Sequence, residues 1–185
     1  METIQETKPA IYVGTYRKYN EGSIAGKWID LTEFVDYEAF LTDCKTLHAD
    51  EEDPEYMIQD FESFPEIFYS ESGLPSEAIF DNIRKYAEMD SDQQPAFEAW
   101  TEMTGADEVT DDDIFDKFEE AFTGVYDSPK EYAEQFIEET GGIPDDLPDI
   151  IKNNIDYEGI AEEFRISGDV WYAKKDGKTY VFQNQ

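Results

Sequence analysis

The most informative side chains in this sequence are carboxylates that recur at helical spacing. Glu131, Glu134 and Glu138 follow one another at intervals of three and four residues, which places them on one side of a helix. At a rise of about 1.5 Å per residue, they are separated by about 4.5 and 6 Å along the helix axis. None of them has a Lys or Arg four residues later, the usual partner on an exposed helix. The pattern therefore indicates a surface of unpaired negative charge.

Acidic residues of the same kind surround this helix in the sequence. The preceding predicted helix repeats the pattern, and its first turn is rich in Asp, where the helix dipole favours anions. We refer to the whole set as the acidic surface. Its predicted members are Asp111, Asp112, Asp113, Asp116, Glu119, Glu120, Glu131, Glu134, Glu138, Glu139, Asp145, Asp146 and Asp149.

Catalytic and metal chemistry has much weaker support. His48 and Cys44 are four residues apart and would form half of a metal pair, but no other soft ligands complete it, so a structural or surface role is favoured for His48. Asp50 to Glu55 lacks the central glycine of a calcium-binding loop. Phosphate-binding loops and nucleophile motifs are absent from the sequence. We therefore expect no catalytic residue, no metal and no cofactor.

Composition shows that this acidic chain is built to fold. It has 46 Asp and Glu against 14 Lys and Arg, a net charge of -32, yet 39% of its residues are hydrophobic and 15% aromatic. A disordered acidic segment lacks that apolar content. A dense carboxylate surface serves solubility, life in high salt, or imitation of another polyanion such as a nucleic acid. Direct binding to DNA or an anionic membrane is disfavoured because both require clustered cations, so the expected partner is a basic surface.

The expected location is the cytoplasm. No apolar run approaches the roughly 18 residues of a membrane span, and the N-terminus lacks a signal-peptide pattern. The one cysteine, Cys44, excludes an internal disulfide and fits a reducing compartment.

The first sixty residues predict a small α+β unit. Gly26 marks a bulge or a close approach, and Thr32 is placed to cap a helix over residues 33–47. The inward face of that helix would carry Phe34, Tyr37, Leu41 and Cys44. Strands are predicted over residues 10–16, 23–31 and 55–61.

The rest of the chain predicts mainly helices and one hairpin. The helix after Asp113 would bury an apolar stripe, and the hairpin turns at Lys175-Asp176-Gly177. The stripe consists of Ile114, Phe115, Phe118 and Phe122. Further helices are predicted over residues 76–89, 95–103 and 155–164 and after Pro129, and hairpin strands over residues 170–173 and 179–182.

We therefore predict an α+β fold arranged as an elongated chain of three small domains. They are an N-terminal antiparallel sheet plus helix (residues 1–62), a central helical unit (63–105) and an acidic C-terminal α+β unit (106–185). Duplex DNA carries one charge per roughly 1.7 Å, so 32 charges correspond to about 54 Å of duplex. An elongated molecule or a dimer would match that charge density.

Two stretches of sequence resemble a known family. Tyr19-Asn20-Glu21-Gly22, followed by Gly26-Lys27-Trp28, is similar to the N-terminal motif of the ArdA antirestriction proteins. The stretch from Tyr132 to Gly141, followed by Ile155-Asp156-Tyr157, resembles the acidic C-terminal block of the same family.

The resemblance implies a DNA mimic encoded on conjugative plasmids and transposons. Such proteins bind type I restriction-modification enzymes, at the methyltransferase and specificity core, and occupy the groove for duplex DNA. They are elongated, three-domain dimers that associate through the C-terminal domain. The glycines and Trp28 would then be scaffold. The hairpin and the preceding helix, with Val170 and Trp171 as candidates, would supply the dimer contact because residues 164–185 carry little negative charge.

Two other classes of function remain open at this point. An acidic chaperone or carrier for a basic protein would need the charge but no duplex-like geometry. An enzyme that uses a carboxylate pair or a metal is the least supported, since among 46 acids some pair always lies close together.

Overall fold

The computed structural model describes residues 8–90, 93–104, 113–144 and 146–184. Within them the protein has the predicted α+β fold, with helices and two antiparallel three-stranded sheets. The chain forms two compact units: an N-terminal unit, which extends to Gln94, and a C-terminal unit made of Pro95–Thr104 and the residues from Asp113 onward. The division into three domains stays a prediction. In the described residues no helix is both long and apolar enough to cross a membrane.

The N-terminal unit is built on a sheet with the strand order β2-β1-β3. Its strands are β1 (Ala10–Thr15), β2 (Lys27–Asp30) and β3 (Tyr56–Glu62). Ile11 lies opposite Ile29 on β2 and Phe61 on β3, and the alternate residue Tyr12 lies opposite Trp28. Ile11 and Ile29 are buried whereas Trp28 is exposed, so the sheet has one covered face and one open face.

Helices cover the buried face of this sheet. Besides the short α1 (Tyr16–Asn20), which buries none of its residues, they are α2 (Tyr37–Leu47) and α3 (Glu77–Glu88), with short 3-10 turns at Leu31–Glu33 and Glu66–Phe68. Phe40 of α2 and Phe80 of α3 are fully buried, and their rings stack with centroids 5.2 Å apart. These rings join the two helices in one aromatic core.

The predicted start of α2 is wrong. The helix begins at Tyr37 and not at Glu33, because Asp36 caps it by accepting a hydrogen bond from the backbone N of Ala39 at 2.8 Å. Thr32 instead donates its hydroxyl to Asp30. The most buried residues of α2 are Phe40 and Cys44, whereas Leu41, predicted to point inward, is only partly buried.

The second strand is shorter than predicted. Residues 23–26 lie outside the strand and pass over Tyr12, whose hydroxyl donates to the carbonyl O of Ile24 at 2.9 Å. A Cβ atom on Gly26 would lie 2.4 Å from the carbonyl O of Val13 and 2.7 Å from Cε1 of Tyr12. The predicted close approach at Gly26 is therefore confirmed.

The C-terminal unit contains a sheet with the strand order β4-β6-β5. β5 (Val170–Lys175) and β6 (Lys178–Gln183) form the predicted hairpin, and both turn residues, Asp176 and Gly177, have positive φ. The remaining elements are α4 (Gln94–Thr104), α5 (Ile114–Ala121), β4 (Phe122–Tyr126), α6 (Pro129–Glu139), α7 (Asp149–Lys152) and α8 (Tyr157–Ser167).

The strand β4 was not predicted, and the helix before it was predicted too long. Phe122 continues the apolar spacing of α5 but begins β4, where it pairs with Phe182 of β6. Its ring still stacks on Phe118 of α5, with centroids 5.2 Å apart. The long-range strand pairing thus overrides the local helical pattern.

Aromatic rings also fill the interior of the C-terminal unit. Phe118 contacts the rings of Phe97 and Trp100 from α4. A second cluster surrounds the buried Tyr132 of α6, which contacts the ring of Phe164 on α8. These clusters fix α5, α6 and α8 on their apolar sides, so the acidic residues of α5 and α6 face solvent.

Candidate protein-binding surface

The helix α5 separates an apolar face from an acidic one. Ile114 and Phe118 are each 1% exposed, whereas Asp113, Asp116, Glu119 and Glu120 are exposed. Lys117 neutralises part of this charge, because its Nζ lies 3.3 Å from Asp113 Oδ1. Asp116 and Glu119 have no ion pair with any other described residue.

The helix α6 presents a longer acidic face. Ser128 caps its start by accepting from the backbone N of Glu131 at 3.2 Å, and Pro129 occupies the first turn. Tyr132 and Ala133 are buried on the opposite side. The exposed face carries Glu131, Glu134, Glu138 and Glu139.

Two of the four acids on α6 also have structural partners. Glu131 Oε2 accepts from the backbone N of Asp127 at 2.5 Å, which stabilises the helix start. Glu139 Oε1 accepts from Gln135 Nε2 at 2.7 Å. Glu134 and Glu138 make no ion pair within the described part of the chain. Partial burial, and then the charges of Glu134 and Glu138, raise the pKa of the Tyr157 phenol.

The other predicted members of the acidic surface are more scattered. Asp146 lies in the connection after α6, and Asp149 is the first residue of α7; both are exposed. Asp111, Asp112 and Asp145 lie outside the described residues. Among the described residues, the predicted members are therefore grouped mainly on α5 and on α6.

The helix α8 adds acids that the sequence interpretation passed over. Glu158, Glu162 and Glu163 are exposed there. Arg165 neutralises Glu162 through two hydrogen bonds, of 2.9 and 2.6 Å, and Lys130 lies 3.8 Å from Glu158. The sequence signal for Glu162 was its spacing of three residues from Arg165. That spacing predicts an ion pair and not an unpaired carboxylate.

The spacing of charges on α6 approaches that of phosphates on a DNA strand. The interval from Glu131 to Glu139 corresponds to about 12 Å of helix and carries four carboxylates, about one per 4 Å. One strand of duplex DNA carries a phosphate every 3.4 Å or so. A single helix thus provides a comparable linear charge density.

The comparison with protein families now identifies the chain. Residues 11–178 match the model of the antirestriction protein (ArdA) family. The chain belongs to the ArdA family. As an antirestriction protein of this family, it has restriction enzymes as its general class of partner. The search against curated proteins found no match.

One group of possible metal ligands in this ArdA protein already surrounds the ammonium of a lysine from the same chain. His48, Asp50 and Glu51 offer ligand atoms within 4.8 Å of one another. The ammonium of Lys18 lies 3.0 Å from His48 Nδ1, 2.8 Å from Asp50 Oδ1 and 3.6 Å from Glu51 Oε1. Lys18 therefore supplies the positive charge that the three groups would otherwise offer to a metal.

The same contacts define the state of His48, which is 1% exposed. An ammonium only donates, so Nδ1 accepts from Lys18. Nε2 then carries the proton and donates to the carbonyl O of Val13 at 3.3 Å. His48 joins the end of α2 to β1, and its role is structural, one of the two roles predicted for it.

Cys44, the other candidate ligand, is buried in the N-terminal core. Burial, and then the nearby charge of Asp43, raise the pKa of the Cys44 thiol to about 12. Metals bind the thiolate, which is therefore disfavoured in the folded protein at neutral pH.

We predict that Cys44 makes stability fall with pH above about 9. The unfolded thiol ionises near pH 9.0 and the folded one near 12, so its contribution is fully present below pH 9 and is lost as pH rises towards 12. The difference in unfolding free energy between wild type and Cys44→Ala should decline by about 1.4 kcal/mol per pH unit in this range. Urea unfolding at pH 8, 9.5 and 10.5 measures it, and parallel curves would contradict the prediction.

Proposed function

We propose that this protein is a non-catalytic DNA mimic that occupies the DNA-binding groove of a type I restriction-modification enzyme. The observation that carries the proposal is the row of exposed carboxylates on α6, spaced at about 4 Å per charge. The family supplies the class of target. In this mechanism the carboxylates take the place of phosphates in a basic groove.

In this mechanism electrostatic attraction raises the association rate more than it raises the binding energy of each contact. A net charge of -32 attracts a basic groove over a distance and raises the association rate, an effect that salt screens. Each exposed ion pair contributes only about 0 to 1 kcal/mol. High affinity therefore requires many pairs formed together, which several carboxylates on one helix face provide.

The spacing also distinguishes a mimic from an acidic chaperone or carrier. A carrier needs only an excess of charge, whereas a groove that holds phosphates at fixed positions rewards carboxylates at similar intervals. In this mechanism the exposed acids of α5 and α6 bind cations of the partner and carry out no chemical step.

We predict that the protein displaces duplex DNA from a type I methyltransferase core in a salt-dependent way. Its affinity, measured by calorimetry, should fall by at least about tenfold between about 0.1 and 0.3 M salt. Salt screens the ion pairs, and it also reduces the entropy gained when counterions are released on binding. Fluorescence anisotropy of a labelled duplex measures the displacement. A flat salt response, or binding beside the DNA without displacement, would contradict groove occupation.

We further predict that no single carboxylate on α5 or α6 is indispensable. Glu134→Gln or Glu138→Gln should change the dissociation constant by about fivefold at most, since each exposed pair contributes about 1 kcal/mol or less. A combined variant should weaken binding by far more. It carries Asp116→Asn, Glu119→Gln, Glu134→Gln and Glu138→Gln.

The matched control removes the same number of charges from exposed positions of the N-terminal unit. It carries Glu21→Gln, Glu52→Gln, Asp53→Asn and Glu66→Gln. This control should bind more tightly than the combined variant. Equal loss in both would assign binding to net charge alone, and complete loss from one Glu→Gln change would point to an active site.

We also propose that the protein is a homodimer that associates through its C-terminal unit. β5 is an edge strand, and Lys174 and the 63%-exposed Ile166 of α8 lie in the part of the chain with the least negative charge. Two copies can approach there with little repulsion. Val170, offered by the sequence as an interface residue, is 6% exposed within the unit's own core, and Trp171 stacks on Phe182.

We predict that Ile166→Asp converts dimer to monomer. The new carboxylate would be repelled by its symmetry mate or buried without a partner, while its exposure in one copy spares the fold. Light scattering on a sizing column measures the mass. Val35→Asp, at an 81%-exposed position of the N-terminal unit, is the control and should remain dimeric. A dimer unaffected by Ile166→Asp would place the interface elsewhere.

A further inference from the structure

The open face of the N-terminal sheet presents an aromatic side chain to solvent. Trp28 of β2 is 40% exposed, and it lies opposite Tyr12 of the central strand. The family resemblance implies that Trp28 is part of the scaffold, but the covered face of the sheet is formed by the alternate residues, such as Ile29. We refer to the surface around Tyr12 and Trp28 as the Trp28 face.

Several contacts hold the Trp28 face in one arrangement. The rings of Tyr12 and Trp28 meet edge to face, with centroids 5.7 Å apart. The Tyr12 hydroxyl is bonded to Ile24, and only a residue without a Cβ fits at Gly26, against Tyr12 and Val13. A ligand would therefore find the indole already positioned, which reduces the entropy lost on binding.

Carboxylates lie on the same face of the sheet as this aromatic pair. Asp60 lies opposite Tyr12 on β3, and Glu62 and Asp30 lie on either side of Ala10, two residues further along the same face. A cleft of about 560 Å³ adjoins Trp28. Its charged lining residues are Asp30, Glu33, Asp43, Glu62, Lys8 and Lys27.

The balance of charge in the cleft favours a cation. Four carboxylates face two ammonium groups, and Lys8 is already paired with Asp30 at 2.9 Å. Glu62 makes no ion pair or side-chain hydrogen bond with the residues that the structure describes. A phosphate or a nucleic acid would be repelled, so the cleft offers an acceptor for an added positive group.

We propose that the Trp28 face binds an arginine side chain of a protein partner. The guanidinium stacks on the exposed indole ring of Trp28 and donates hydrogen bonds to a cleft carboxylate such as Glu62. Arginine suits both contacts because its planar, weakly hydrated group stacks on aromatic rings and donates in a fixed fork. A lysine ammonium is more strongly hydrated and gains less from the ring.

This contact would add specificity to an electrostatic attraction that is otherwise non-specific. The acidic surface on α5 and α6 attracts any basic groove, whereas an aromatic ring with an arginine partner is the kind of pair that dominates binding energy at protein interfaces. That the partner bound at the Trp28 face is a type I restriction-modification enzyme rests on the proposed function. The preference for arginine rests on the geometry of the Trp28 face alone.

Short blocked peptides test the proposal directly. We expect full-length wild type to bind a tetra-arginine peptide about three- to tenfold more tightly than a tetra-lysine peptide of the same charge, by calorimetry at low salt. Trp28→Ala should remove most of that preference and change lysine-peptide binding much less. Val35→Ala removes a more exposed apolar side chain and should retain the preference.

Two further variants keep the test decisive. Trp28→Phe preserves an aromatic contact with Tyr12 and should keep part of the preference, so that a folding defect in Trp28→Ala cannot account for the whole effect. Glu62→Gln should weaken arginine binding more than lysine binding. Equal affinities for both peptides in wild type, or the same preference in Trp28→Ala, would overturn the proposal.

The peptide assay contains no restriction enzyme, so its result is separate from that of DNA displacement. If wild type shows no preference for arginine but still displaces DNA, the Trp28 face is not an arginine site and the proposed function is unaffected. The reverse result would keep the arginine site and exclude the type I target. A Trp28→Ala variant that changes only self-association would assign the face to a second copy and overturn the proposal.

Discussion

The constraint on which this structure depends is the mutual repulsion of its carboxylates. A net charge of -32 weakens any compact state, so apolar burial has to exceed what a neutral domain of this size needs. Aromatic side chains meet that need because each buries a large apolar area. Phe118 contacts four other aromatic rings in the C-terminal unit, and Phe40 contacts Phe34, Tyr37 and Phe80 in the N-terminal one.

Several of the few cations form ion pairs within their own unit. Lys18 is enclosed by His48, Asp50 and Glu51, and Lys175 forms an ion pair with Glu98. Such pairs offset the charge of the carboxylates they contain, among them Glu51, whose side chain is 5% exposed. The faces of α5 and α6 contain Lys117 and Lys130, whose partners are Asp113 and Glu158. Glu134 and Glu138 therefore remain available to an external partner.

Elements with local start and stop residues were predictable from the sequence, whereas those that depend on distant pairing were not. Ser128 and Pro129 begin α6 and Gly141, at φ 68°, follows its end, so its bounds and its acidic face could be inferred. β4 was missed because Phe122 lies four residues after Phe118 and extends the helical pattern; only pairing with β6 makes it a strand. The exposure of Trp28 depends on which face of the sheet the helices cover, which no local pattern reveals.

Charge alone gives this protein little selectivity, because exposed carboxylates attract every basic surface and each pair contributes little. Selectivity has to come from features with fixed geometry. The rigid spacing of acids along α6 is one such feature, and the aromatic pair of Tyr12 and Trp28 is another, since its rings are held by Gly26 and Ile24. The two features act on different properties of a partner: the first on the spacing of its cations, the second on their chemical type. A basic protein that offers lysines at irregular spacing would satisfy neither, although it would still be attracted.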